Sequence, residues 1–378
     1  MKSWANVQLF YFTGINIMVK NKQRPFKGLN QLVINLQSKH NITSTNTKKA
    51  QSILLDHSYY TLVNGYQRAL EQDSHSEMFR DGIFIETLEK IHLYETDITS
   101  TALQAIIDIE QKLRIALQYS VSRHFGVEYS SYLDKKNYIS VKTNKKKSNG
   151  KPVVIDRSKI VARLRTIATG YKNGDDSKPE NKIRDEHPSQ SLIEHRKNGV
   201  IPPWILVNDL TFGNLLLWFK ILPPSRKEEV IRLAFPRFDL RSSNAASFFQ
   251  SNIKLISLSL EIIREYRNGF AHGDVLNKIS IITALSTDEV LLLCSNDKII
   301  TRSELDRKIG SSDFLALLIV IFALVPTPRG KATMVRFKSL FGFIERSLSN
   351  LPTSSIRRLF LIPDSIILRL EAIENTLM

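Results

Sequence analysis

Arg267, Asn268 and His272 form the pattern R-N-x-x-x-H near the end of an apolar periodic stretch, and these residue types suit acid–base chemistry on a phosphate. A histidine exchanges a proton close to neutral pH, so it can act first as general base and then as general acid. A guanidinium can bind a phosphate through two parallel hydrogen bonds and stabilise the charge that develops during attack by a neighbouring 2′-OH. We therefore take His272 as the candidate base and acid, Arg267 as the phosphate ligand, and Asn268 as the residue that orients them.

The spacing of these residues along a helix decides which of them can act together. Asn268 and His272 are four apart and share one helix face. Arg267 and His272 are five apart, which places them about 140° from each other around an ideal helix. One copy of the chain does not bring them together well, whereas a second copy across a twofold axis would, so we expect a homodimer.

An arginine separated by four residues from a histidine is typical of metal-independent ribonucleases of the HEPN class. The pattern is short, however, and it also has a purely structural interpretation. Arg267 and His272 could stabilise the negative end of a helix dipole, with Gly269 or Gly273 terminating the helix. Both interpretations place the motif at a helix C-terminus.

Hydrophobic periodicity predicts that the elements around the motif are mainly α-helical. Apolar residues recur at helical spacing over residues 28–42, over 83–125 with Gly126 as a C-cap, and over 247–272. Between Ile279 and Ile300, β-branched residues alternate on either side of polar turns and predict a small β-hairpin.

Two ionisable residues lie on or beside the apolar face of the long helix at 83–125. Glu110 and Arg114 are four apart and could form an ordinary helix salt pair. Their position against the apolar stripe also allows a role in supporting the active-site helix. Both interpretations remain open from the sequence.

The charge of the chain favours a polyanionic partner. Its 378 residues include 53 Lys and Arg against 37 Asp and Glu, a net charge of +16, so nucleic acid is the first partner to consider and an anionic membrane surface the second. Residues 135–165 hold eleven of these cations and one acid. Lys145, Lys146 and Lys147 within them are either a solvated loop or contacts to RNA phosphates, which position a backbone without reading its sequence.

Several classes of protein are disfavoured by what the sequence lacks. The single cysteine, Cys294, cannot form an intramolecular disulfide, and no Cys/His set has zinc-ligand spacing. Glycine loops of the Walker type, G-x-S-x-G and H-E-x-x-H are absent. The longest apolar run, residues 314–325, is too short to span a bilayer. We expect a cytoplasmic protein with no cofactor, no metal and no membrane partner.

Composition divides the chain into five parts. We expect a poorly ordered extension at 1–23 and a helical part at 24–139. A basic insertion follows at 140–198, with one helix at 157–168 and a loop. The motif-bearing helices occupy 199–278, and a hairpin with further helices occupies 279–378.

Four segments in this order resemble the successive blocks of the Abi_2 family, abortive-infection proteins of the AbiD/AbiF kind that bacteria use against phage. The segments are residues 58–67, 83–138, 202–220 and 266–273, which end in YRNGFAHG. The resemblance covers most of 24–275, so it is far more specific than the short motif alone. Two features depart from the family pattern: Gly273 stands where a second histidine often follows the first, and the basic insertion is longer than usual.

The resemblance implies an all-helical HEPN-type bundle, phage defence, and RNA as substrate or ligand. We expect an endoribonuclease that cuts RNA without a metal through attack by the 2′-OH. The alternative is a non-catalytic protein that holds a structured non-coding RNA in the same groove. Cleavage of RNA in the presence of EDTA distinguishes the two.

Overall fold

The computed structural model describes residues 26–73, 76–146, 152–183, 187–236 and 246–377. The expected extension at 1–23 lies outside these residues. Seventeen α-helices are present in the described part, which confirms the mainly α-helical class. They are α1 (Leu29–His40), α2 (Thr47–Asp56), α3 (Gly65–Leu70), α4 (Ile85–Phe125), α5 (Tyr129–Tyr132), α6 (Arg157–Thr169), α7 (Gln190–Lys197), α8 (Pro203–Leu206), α9 (Phe212–Ile221), α10 (Pro224–Ala234), α11 (Ala246–Ala271), α12 (Thr287–Leu293), α13 (Arg302–Asp306), α14 (Phe314–Leu324), α15 (Thr327–Ser347), α16 (Thr353–Phe360) and α17 (Ile366–Leu377).

The long helix α4 organises the molecule. Its 41 residues extend about 60 Å, and α2, α10, α11, α14 and α15 pack along it. The helix ends at Gly126, whose φ of 88° is in the region that favours glycine, as the sequence predicts. Most of its predicted apolar stripe is buried, although Ile107 is 41% exposed.

Helix α11, which carries the motif, is held on several sides. It packs against α4, α9, α10 and α14. Every residue of α14 is buried, and the ring of its Phe314 meets the buried ring of Tyr266 on α11 edge to face, with 6.3 Å between centroids. The apolar run at 314–325 is therefore the core of the C-terminal part. Among the described residues, no helix is both long and apolar enough to cross a bilayer.

The β-hairpin expected between Ile279 and Ile300 does not form there. Residues 279–286 have no strand partner, and α12 begins at Thr287 because Ser286 and Glu289 form a capping box. The backbone N–H groups of Ile282 and Thr283 donate to the Glu265 carboxylate of α11, at 2.8 and 3.0 Å, instead of to a second strand.

A small antiparallel pair occurs instead within the basic insertion. Strand β1 (Val141–Lys146) pairs with β2 (Pro152–Ile155), and Val141 lies opposite Ile155. The helix expected at 157–168 is α6, and α7 is a further helix where the sequence predicts a loop. The insertion is thus more structured than predicted.

Candidate active site at the end of α11

Backbone hydrogen bonds cap the C-terminus of α11. The N–H of Asp274 donates to the carbonyl of Gly269 at 3.0 Å, and the N–H of Gly273 donates to that of Phe270 at 3.1 Å. These two bonds form a Schellman motif. Gly273 has a φ of 71°, so a residue with a side chain would be strained there. The carbonyl groups of Gly269 and Phe270 are therefore satisfied without a side chain.

Gly273 ends the helix, as the structural interpretation of the motif expects, and the motif side chains form no hydrogen bond of the cap. His272 is exposed, and Arg267 and Asn268 are partly exposed. Within the described part of the chain, none of these three side chains makes a hydrogen bond or an ion pair. Polar side chains without internal partners can bind a ligand without first breaking an internal contact.

The structure brings the motif residues to one helix end but does not join their side chains. The backbone N–H of His272 bonds to the carbonyl of Asn268 at 3.1 Å. The Asn268 amide makes no hydrogen bond to the His272 ring among the described residues. The orienting role of Asn268 therefore stays a prediction.

The chain after the cap is fixed against α11. A Cβ at Gly269 would lie 2.7 Å from Cγ1 of Ile279, so the glycine permits a close approach of these two segments. The Glu265 carboxylate also accepts the Thr283 hydroxyl at 2.9 Å. Residues 279–283 thus lie along the last turns of the helix, beside the motif.

A cavity of about 220 Å³ adjoins the helix end. On one side it is lined by α4, including His92, Glu95 and Thr99. On the other side it is lined by Phe270, Gly273, Asp274 and Val275, which lie on both sides of His272 in sequence. The residues on either side of His272 therefore line a concave surface whose other wall is a different helix.

Buried polar groups join α4 to the segment after the motif. Glu95 is 3% exposed; its Oε2 accepts the Tyr66 hydroxyl at 2.6 Å, and its Oε1 accepts the N–H of Leu276 at 2.7 Å. The same hydroxyl lies 2.9 Å from Nδ1 of His92. Sequence analysis did not select these residues. The only signal was that His92 and Glu95 are three apart on α4, and the partner Tyr66 is remote in sequence.

Burial perturbs the titration of this cluster. Desolvation raises the pKa of the Glu95 carboxyl to about 7, although the bonds from Tyr66 and Leu276 act in the opposite direction. Desolvation, followed by the nearby His57, lowers the pKa of His92. The rings of His57 and His92 are 4.9 Å apart. His92 is consequently neutral at physiological pH, while Glu95 exchanges a proton there.

Glu110 and Arg114 form a buried ion pair, but their direct partners are not in α11. Arg114 donates from Nε to Glu110 Oε1 at 3.2 Å and from Nη2 to the carbonyl of Leu210 at 2.7 Å. Its Nη1 also donates to the carbonyl of Val207. The pair therefore fixes the turn between α8 and α9, and any support it provides to α11 passes through the packing of α9 on α11.

The structure describes the backbone of two of the three predicted RNA-binding lysines. Lys145 and Lys146 end strand β1, but their side chains lie outside the described residues, as does Lys147. Nearby arginines have structural roles: Arg157 donates to the carbonyl of Tyr138 at 2.7 Å, and Arg165 to that of Leu133 at 3.2 Å.

Other cations of the insertion face solvent. Lys142, Lys159 and Arg163 are exposed and form no ion pair with described residues. Lys142 lies on β1, and Lys159 and Arg163 lie on α6, so the exposed cations that could contact RNA phosphates are found on both elements. The described residues contain no group of three or more His, Cys, Asp or Glu side chains that could hold a metal ion.

Comparison with known proteins identifies the family. The family model described as Abi-like protein matches residues 52–277, more than half of the chain. The chain belongs to the Abi-like family. The matched region includes α4, the cluster around Glu95 and the motif at the end of α11, whereas the helices from α12 onward lie outside it. No curated protein and no solved structure matches the chain. Membership of this family points to abortive infection, a bacterial defence against phage.

Proposed function

We propose that this Abi-like protein is a phage-defence effector that cuts RNA as a metal-independent endoribonuclease of the HEPN type. The observation that carries the proposal is the end of α11. A Schellman motif caps the helix with backbone bonds. Arg267, Asn268 and His272 are exposed or partly exposed there and have no internal partner among the described residues. Side chains of these types at such a site suit a phosphodiester.

The reaction needs one base, one acid and stabilisation of charge on phosphate. His272 removes the proton of a 2′-OH, whose oxygen attacks the adjacent phosphorus. The bond from phosphorus to the 5′ oxygen breaks, which leaves a 2′,3′-cyclic phosphate, and a protonated imidazole supplies the proton of the new 5′-OH. Arg267 donates hydrogen bonds to the phosphate oxygens as their charge increases.

A second copy of the chain would complete this site. Arg267 and His272 lie about 140° apart around α11, and the described chain supplies no second arginine bonded to His272. A twofold axis beside the helix end would bring His272 of each copy near Arg267 of the other. The homodimer remains part of the proposal.

The test is cleavage of total RNA by the purified full chain in EDTA. We expect cutting by the wild type, products with 2′,3′-cyclic phosphate ends, and a fall of roughly 10²- to 10⁴-fold in His272→Ala. The matched control is His187→Ala, since His187 is also exposed but lies in the basic insertion. RNA affinity should be nearly equal in all three proteins, because one imidazole contributes little to phosphate binding beside the 53 Lys and Arg residues of the chain.

Two outcomes contradict the proposal. Stable binding of RNA without cleavage would favour the alternative, a protein that holds a structured RNA. Equal cleavage by His272→Ala and wild type would place the chemistry elsewhere.

A further inference from the structure

We propose that the cavity between α4 and the motif binds the nucleobase next to the cleaved phosphate and prefers guanine. The inference rests on the proposed ribonuclease function and deepens it by naming the substrate base. It starts from position: Phe270, Gly273 and Asp274 flank His272 in sequence, and all three line the cavity. A phosphate held at His272 would therefore have this cavity beside it.

Three hydroxyl groups line the cavity on the α4 side, and two of them, those of Thr96 and Thr99, can act only as acceptors. The third, that of Ser100, makes no hydrogen bond to a described residue, so it can donate or accept. The Thr96 hydroxyl donates its proton to the carbonyl of His92 at 2.9 Å, and the Thr99 hydroxyl donates to the carbonyl of Thr96 at 3.1 Å. Each hydroxyl has a single proton and two lone pairs. Both protons are used within the helix, so only lone pairs remain for a ligand.

The carboxylates of the cavity add further acceptors. Each oxygen of Glu95 accepts one internal bond, and an ionised carboxylate has about four lone-pair positions. Asp274 is exposed, and its side chain makes no hydrogen bond to a described residue. Both side chains can accept from a bound base.

His92 is a further acceptor because of its tautomer. The single hydroxyl proton of Tyr66 goes to Glu95, so the contact between the Tyr66 oxygen and Nδ1 of His92 requires the proton on Nδ1. Nε2 of the neutral ring is then left with a lone pair. Apart from the Ser100 hydroxyl, the polar side chains that line the cavity thus offer only hydrogen-bond acceptors to a ligand.

Guanine matches this set of groups better than the other bases. Its Watson–Crick edge places N1–H beside the N2 amino group, a pair of donors that fits a carboxylate. Uracil presents one N–H between two carbonyl groups, which would face acceptors and remain unpaired at a cost. The volume of about 220 Å³ suits one base, and the ring of Phe270 in the wall offers a face for stacking.

The test separates binding from cleavage by using the full chain with His272→Ala. Short single-stranded uridine oligonucleotides carry one guanine, adenine, cytosine, inosine or uracil at the centre, and affinity is measured by fluorescence anisotropy at pH 8 and fixed salt. We expect the guanine strand to bind about tenfold tighter than the all-uridine strand. Inosine, which lacks the N2 amino group, should lose several-fold of that gain.

Matched threonine variants identify the cavity as the cause. Thr96→Val with Thr99→Val should lower the guanine-to-uracil ratio several-fold, and the carboxylates of Glu95 and Asp274 should account for the preference that remains. Thr101→Val is the control, because the Thr101 hydroxyl also donates to a backbone carbonyl of α4 but does not line the cavity. Asp274→Asn, at an exposed position, should lower the ratio by itself. Circular dichroism confirms that each variant is folded.

Equal affinity for all five strands would overturn the cavity proposal, as would an unchanged guanine preference in the double valine variant. These failures are distinguishable from failure of the ribonuclease. A wild type that cuts RNA without base preference retains the ribonuclease and loses the cavity assignment. A wild type that binds the guanine strand preferentially but leaves RNA intact retains the cavity assignment and loses the ribonuclease.

Discussion

His272 and Glu95 are two titratable residues near one helix end, and they differ in burial and in hydrogen bonding. His272 is exposed and has no internal partner among the described residues, so its proton is available to a substrate. Glu95 is buried and bonded on both oxygens, so its charge interacts with the protein interior. The first residue suits proton transfer at a phosphate, and the second suits positioning of the segment that follows the motif.

The buried carboxyl of Glu95 predicts a pH dependence of stability. Its pKa is raised from 4.5 to about 7, so between these values the folded state binds more proton than the unfolded state, and stability falls as pH rises. The raised pKa corresponds to about 3 kcal/mol. We expect Glu95→Gln not to lose stability in this way, because its amide does not titrate. The free energy of unfolding of the wild type minus that of the variant should therefore fall by up to about 3 kcal/mol from pH 4.5 to pH 8.

Urea denaturation of both proteins across this range checks the expectation. The amide in the variant still accepts the N–H of Leu276, and Tyr66 can donate to His92 instead. Parallel stability curves for the two proteins would show that Glu95 titrates near its ordinary value.

At the scale of elements, the end of α11 and the segment at 279–283 form one unit. Backbone bonds close the helix, Glu265 holds Ile282 and Thr283, and Gly269 allows Ile279 to approach. The motif is therefore presented by a helix end whose continuation is fixed in place. Such an arrangement limits the movement of the motif's helix end relative to the cavity.

Gly269 provides a test of this unit. Gly269→Ala places a methyl group 2.7 to 2.9 Å from three atoms of Ile279, so we expect it to lower the free energy of unfolding by roughly 1 to 3 kcal/mol. Gly342→Ala within α15 is the control, since its nearest neighbours are at 3.6 and 3.7 Å. That substitution should raise stability by about 0.5 to 1 kcal/mol. Thermal or urea unfolding measures both, and equal gains for the two variants would mean that Ile279 moves away at no cost.

For the whole molecule, the net charge of +16 is concentrated rather than uniform. The insertion around β1, β2 and α6 supplies exposed cations without ion pairs among the described residues, such as Lys142 and Lys159. Long-range attraction to a polyanion depends on this distribution and on salt.

Replacement of Lys145, Lys146 and Lys147 by Ala should weaken RNA binding almost equally for all sequences. Each lost phosphate contact should lower the slope of log affinity against log salt by about 0.7 to 0.9. The control removes three exposed lysines outside the insertion, Lys298, Lys308 and Lys331, and should leave the slope nearly unchanged. An unchanged slope in the first variant would show that these lysines are solvated and that other cations bind the phosphates.

The proposed composite site requires two copies of the chain, so it predicts a dimer in solution. Light scattering at micromolar concentration should give about twice the chain mass of 43.3 kDa, and dilution below the dimer dissociation constant should reduce cleavage per chain. A strict monomer that cuts RNA at full rate would contradict the shared site.

Local sequence patterns were sufficient for the helical class, the long helix with Gly126 at its end, and the placement of Arg267, Asn268 and His272 at a helix C-terminus. Each of these depends on periodicity or capping, which involve residues within a few positions of one another. The hairpin predicted at 279–300 was wrong because a strand depends on its pairing partner, which a local pattern does not specify. Alternating β-branched residues indicate an extended segment, but they do not say whether a strand or a side chain such as Glu265 takes its N–H groups.

The tertiary structure alone decided which distant groups meet. Tyr66, Glu95 and Leu276 converge because α3, α4 and the end of α11 pack together, and no spacing along the chain predicts that contact. Arg114 forms the salt pair with Glu110 that their spacing allows. Its further bonds to the carbonyl groups of Val207 and Leu210 depend on tertiary packing and could not be predicted from the spacing. Burial is a property of the packed molecule, so the raised pKa of Glu95 and the acceptor-lined cavity could be found only in three dimensions.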